Sequence, residues 1–304
     1  LKDTLMHLPD TVEIVEVGPR DGLQNEAATV ATPDKVALLL ALRVAGLRHF
    51  EATSFVSPKW IPRLADAEAV LAALPPDPDA IYGGLIPNER GYDRALAAGA
   101  REVALVVSAT EGHCRANLNR SVAEVLAGFA PVAARGRADG VRVRANISTA
   151  FGCPFDGVPP VAQVLDVAER IAAAGIDDIT LSDTIGVANP RQVADLFTQA
   201  RAAFPAVTFA AHFHDTRGLA LANVVAALDA GIRRFDAAIG GLGGCPYAPG
   251  ASGNVATEDL AFMLAEMGIA TNLDLDRLLD AAELVARLVG HPARARITRA
   301  LLAG

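Results

Sequence analysis

His212 and His214 stand two residues apart in H-F-H-D, at the end of an apolar run. On an extended segment, that spacing sends both imidazoles to one face, with Phe213 pointing the other way. Asp21, in G-P-R-D-G, supplies a carboxylate, and Asn254, which closes a glycine-rich stretch, could add an amide oxygen. Imidazole and oxygen donors without thiolate suit Mg²⁺, Mn²⁺ or another divalent ion better than a structural zinc. An isolated H-x-H pair is as readily explained by hydrogen bonding in a core. The neighbouring reactive residues shift that balance towards a metal.

Arg20 precedes Asp21, and a surface ion pair is the commoner fate of such neighbours. Gly18, Pro19 and Gly22 bend the backbone tightly around them, however, which would aim both side chains inward from a strand end. An arginine fixed there can stabilise an oxyanion or enolate. Glu51 could hold its guanidinium or simply be a solvated strand-end carboxylate. Cys245 lies in G-G-L-G-G-C-P-Y-A-P-G-A-S-G-N, a stretch too rich in glycine for an ordinary packed position. A thiol near a divalent ion and an arginine would have a lowered pKa and could pass a proton. Cys114 and Cys153 lack such company and read as structural.

These residues need a scaffold that brings several strand ends together. Short β-branched runs near 12–17, 47–52, 80–86, 102–108, 141–148, 176–182, 207–213 and 234–239 alternate with alanine-rich helical stretches. This is the pattern of repeated βα units, and eight strands close a TIM barrel whose chemistry sits at their C-terminal ends. Arg20 and Asp21 then follow strand one, Glu51 closes strand two, Asp183 follows strand six, and the histidines close strand seven. Thr32 and Asn189, each before a proline, are expected to cap helices. Arg135–Gly140 reads as a polar loop. Two more helical segments, about 255–267 and 274–289, have no strand to feed, so 254–304 is expected to be a C-terminal helical addition to a single barrel domain. A doubly wound sheet is the competing fold, but G-P-R-D-G-L-Q-N-E is not its phosphate-binding fingerprint.

The 304 residues are 52% hydrophobic and carry a net charge of -8, enough for a large core and unfavourable to nucleic acid or an acidic membrane surface. Three scattered cysteines offer no disulfide or zinc framework, which fits a reducing, cytoplasmic setting. No apolar run reaches the roughly 18 to 20 residues of a membrane span, and the first residues lack a signal-peptide core.

The blocks E-V-G-P-R-D-G-L-Q-N-E (16–26), E-A-T-S-F-V-S-P-K-W (51–60), S-D-T-I-G-V (182–187), H-F-H-D-T (212–216) and G-L-G-G-C-P-Y-A-P-G-A-S-G-N-V-A-T-E-D-L (241–260) resemble the 3-hydroxy-3-methylglutaryl-CoA lyase family. The resemblance implies a barrel with a divalent metal on Asp21, His212, His214 and Asn254. It implies that Arg20 steadies a thioester enolate, that Glu51 and Asp183 support the site, that Gln24 and Ser54 meet substrate, and that Cys245 transfers a proton. The implied substrate is an acyl-CoA, and the implied assembly a homodimer. Ala27 replaces an expected lysine and Arg217 an expected aromatic residue; 108–121 and Phe155 depart as well, so the reaction type is better specified than the acyl group. A related Claisen-type condensing enzyme acting on a 2-oxo acid is the alternative, since it shares R-D-G and H-x-H. An inactive CoA-binding scaffold ranks last, because no expected ligand is broken.

Overall fold

A computed structural model describes residues 8–244 and 253–302. Eight strands, β1 (Glu13–Glu16), β2 (His49–Ser54), β3 (Ile81–Leu85), β4 (Glu102–Ser108), β5 (Arg142–Ser148), β6 (Asp178–Asp183), β7 (Thr208–Phe213) and β8 (Arg234–Ala237), form a closed parallel barrel in chain order. Pairing of Glu13 with Arg234 and of Glu16 with Ala237 closes it. The expected TIM barrel is therefore the fold, and the open sheet is excluded by the β1 to β8 pairing.

Apolar residues of one parity face the surrounding helices: Phe50 stacks on Tyr82 at 5.1 Å, and Phe213 meets Phe151 at 5.9 Å. Each fully buried Phe of this kind stabilises the fold by roughly 1.5–3 kcal/mol relative to exposure. The other parity is unusually polar. His49, Glu51, Glu102, Arg144, Asn146, Thr180, Ser182, His212 and Asp236 are all buried.

Helices Thr257–Glu266 and Leu275–Val289 follow β8 where the two further helical segments are expected, and a third, Arg296–Leu302, follows them. Helix Leu275–Val289 packs on helix Thr32–Val44, which ties the addition to the start of the barrel. Asn189 caps helix Pro190–Ala203 through a reciprocal bond with Gln192, as expected. Two local expectations fail. Ala31 occupies the N-cap of helix Thr32–Val44, and the Thr32 hydroxyl donates to Asp66 at 2.7 Å, a tertiary partner outcompeting the cap. Arg135–Gly140 is the last stretch of helix Phe129–Asp139, closed by Gly140 at φ +70°; Arg135 lies over the Tyr92 ring and pairs with Asp93, so its polarity marks a solvent face. No helix of the described residues is long and apolar enough to cross a membrane.

Candidate metal centre

Beyond β1 the chain tightens into a single π-helical turn, Gly18–Gly22, that turns both Arg20 and Asp21 into the barrel mouth. Arg20 is buried and pairs with Asp21 at 2.6 Å on one side and with Glu51, from β2, on the other. Burial alone would depress its pKa, but the two carboxylates outweigh this and raise it, so the guanidinium stays charged.

Across the barrel, His212 is the penultimate residue of β7 and His214 lies just beyond the strand. Their ligand nitrogens and an Asp21 carboxylate oxygen all lie within 4.8 Å of one another. This is the only such group among the described residues. Burial tends to raise the Asp21 pKa, yet Arg20 and the two imidazoles bring it below the ordinary value. Burial first, then the neighbouring His212, pushes His214 down to about 4, so it is a neutral donor at pH 7. His212 receives the opposite treatment: despite burial, its Nδ1 contact with Asp236 at 3.1 Å and that carboxylate's charge raise its pKa.

Asn254 arrives from the far side of the glycine-rich segment. Its backbone bridges to His214, and its Nδ2 donates to Asp21 at 2.9 Å and to the Leu242 carbonyl at 2.9 Å. A Cβ on Gly243, at φ +115°, would stand 2.5 Å from that Nδ2; only glycine allows the amide so close. Both His214 Nδ1 and Asn254 Oδ1 are buried without a hydrogen-bond partner. Orphaned buried acceptors beside a carboxylate fit a divalent cation, because unsatisfied burial otherwise costs about 1–3 kcal/mol each.

The other sequence-derived residues divide. Glu51 joins the cluster through Arg20. Gln24 is half-buried with an unpaired Oε1. Ser54 is buried, and its hydroxyl accepts from the Val56 amide. Asp183 is not brought into the cluster: its carboxylate accepts the backbone amides of Val187 and Ala188, and burial raises its pKa to about 6. Arg217 turns back on the carbonyls of Ile185 and Gly186. Cys245 lies outside the described residues. Cys114 and Cys153 are buried, and Cys153 accepts from the Thr110 hydroxyl. Sequence reasoning missed Asp236 and Arg144, both contributors of buried charge; alternation within β5 and β8 places them in the interior, which was the available signal.

Residues 11–285 match the HMGL-like family model. The chain is 47% identical over 291 residues to the hydroxymethylglutaryl-CoA lyase YngG of Bacillus subtilis, covering 96% of this chain and 97% of that protein. The chain belongs to the HMG-CoA lyase family. Within this family it is 43% identical, over 98% of its length and 99% of the other, to the 3-hydroxy-3-isohexenylglutaryl-CoA/hydroxy-methylglutaryl-CoA lyase of Pseudomonas aeruginosa. A solved HMG-CoA lyase of Acinetobacter baumannii, in complex with coenzyme A and 3-methylmalate, is similar at a TM-score of 0.91 and 43% identity, covering 96% of this chain and 95% of that one. Such likeness to lyases disfavours the condensing-enzyme alternative.

Proposed function

We propose that this enzyme cleaves 3-hydroxy-3-methylglutaryl-CoA, or a close 3-substituted analogue, to acetyl-CoA and a 3-oxo acid such as acetoacetate. The observation that carries the proposal is the Arg20 guanidinium, buried and permanently charged, directly beside the Asp21, His212 and His214 cluster. Family membership makes an acyl-CoA the substrate partner.

Asp21, His212, His214 and, through its orphaned oxygen, Asn254 would hold Mg²⁺ or Mn²⁺. When bound there, a divalent ion supplies Lewis acidity towards the substrate's oxygens. The hydroxyl of the substrate gives its proton to solvent water as the C3 carbonyl forms, the bond between C2 and C3 breaks, and its electron pair passes into the thioester enolate. Arg20 stabilises that enolate oxygen, and Asp21 and Glu51 hold the guanidinium still while it does so. Protonation of the enolate carbon gives acetyl-CoA, with Cys245 as donor. Gln24 and Ser54 contact the acyl portion, and Asp183 supports the site by fixing the loop after β6 rather than by touching substrate. In this reading the chain works as one barrel domain, with 254–304 as an addition, in a cytoplasmic homodimer.

A coupled assay for acetyl-CoA release from 3-hydroxy-3-methylglutaryl-CoA tests the proposal. We expect turnover with Mg²⁺ or Mn²⁺ and its loss with chelator. Condensation of acetyl-CoA with a 2-oxo acid, and no cleavage of any 3-hydroxyglutaryl thioester, would reject it.

A further inference from the structure

Arg144 is among the largest fully buried side chains of the molecule, at 0% exposure, midway along β5. It sits beneath the mouth rather than in it. Its Nη2 donates to Glu51 Oε2 at 2.6 Å, and its Nη1 to Asp236 Oδ1 at 3.2 Å; Nη2 is also 3.5 Å from Asp236 Oδ2. Glu102 on β4 lies 3.7 Å from its Nε. The strands that supply these carboxylates, β2, β4 and β8, are spread around the barrel, so one side chain joins three sectors of its wall.

The two acceptors have second partners. The other oxygen of Glu51 takes Arg20, and Asp236 Oδ2 takes His212 Nδ1. The result is a continuous chain from Arg20 through Glu51, Arg144 and Asp236 to His212. A desolvated carboxylate pair without a cation between them would repel or protonate, and either response would release the groups above. A lysine could neutralise the pair but could not fork to both, since it lacks the planar guanidinium.

We propose that Arg144 is a positioning residue that couples the two halves of the site, fixing Arg20 through Glu51 on one side and His212 through Asp236 on the other. The turnover part rests on the lyase reading; the metal-binding part does not. Arg144→Lys keeps the charge and loses the fork. In the metal-free protein, titrated with Mn²⁺ without substrate, this variant binds about 10-fold or more weaker than the parent, the size expected when a ligand's outer support is lost. Its kcat falls by about 100-fold while KM changes by less than about threefold, because orientation of Arg20 is needed in the transition state. Folded Arg144→Lys, judged by circular dichroism, with parental Mn²⁺ affinity and kcat would overturn the proposal.

If Arg144→Lys does not fold, Glu51→Gln, Asp236→Asn and their double variant carry the same test without touching Arg144. Coupling predicts that their effects on Mn²⁺ affinity are not additive; additivity to within about twofold, as for independent sites, would overturn it. A parent enzyme that binds Mn²⁺ but cleaves no glutaryl thioester sinks the lyase reading and leaves the affinity test standing.

Discussion

At the N-terminal end of the barrel, His49 has both ring nitrogens engaged, one by Glu13 and one by Glu102 at 2.9 Å each, while Arg234 pairs with Asp178 close by. At the C-terminal end, His214 Nδ1 and Asn254 Oδ1 are equally shielded from water and have no partner. Both imidazoles are buried among carboxylates, yet the first is raised to about 9 and the second lowered to about 4. For each, burial is the largest influence and disfavours charge; at His49 two bonded glutamates reverse it, whereas at His214 the adjacent His212 reinforces it. One end spends its charge on holding strands together, and the other keeps donors available.

The sharpest way to break this comparison is His214→Ala. It should abolish measurable divalent-metal binding by calorimetry and lower kcat/KM by about 1000-fold or more, since catalysis and ligation fail together. Retained metal affinity would mean the cluster is not the metal centre. Gly243→Ala tests the approach that places Asn254. Its Cβ would push the amide away, so Mn²⁺ affinity should fall by about 10-fold with the fold intact.

His49→Gln is expected to have the smallest effect on turnover and a distinct effect on stability. Because the folded-state pKa of about 9 exceeds the ordinary 6.5, the protonated His49 contributes stability fully present below pH 6.5 and lost as pH rises through about 9. That contribution is up to about 3 kcal/mol. Denaturant unfolding between pH 6 and 10 should therefore show a decline in the parent that flattens in His49→Gln. Parallel curves would remove His49 from the account.

Much of this was legible in sequence because it depended on local rules. Strand alternation fixed the face shared by His212 and His214, and the glycines around Arg20 and Asp21 signalled a sharp turn. Thr32 misled because the carboxylate of Asp66, 34 residues further along the chain, competes for its hydroxyl. Arg144 and Asp236 escaped for a different reason: they meet each other across 92 residues, Arg144 meets Glu51 across 93, and closure of the barrel brings these together. Asp183 has the composition of a site residue, but its two amide donors lie in its own loop, which spacing alone does not reveal.

The return segment before helix Thr257–Glu266 is stitched down on both sides. Asp215 donates its amide to Gly253, Val255 to Phe213, Ala238 to Val255, and Asn254 to Leu242. Asn254 is thus registered by main-chain bonds to β7 and to the residues just after β8. A ligand held through backbone donors and acceptors keeps its register when nearby side chains change, because every residue but proline supplies the same amide and carbonyl. For evolution or for an engineer, the amide ligand is therefore anchored by the barrel's own main chain, and the side chains of Val255 and Ala256 can vary without moving it.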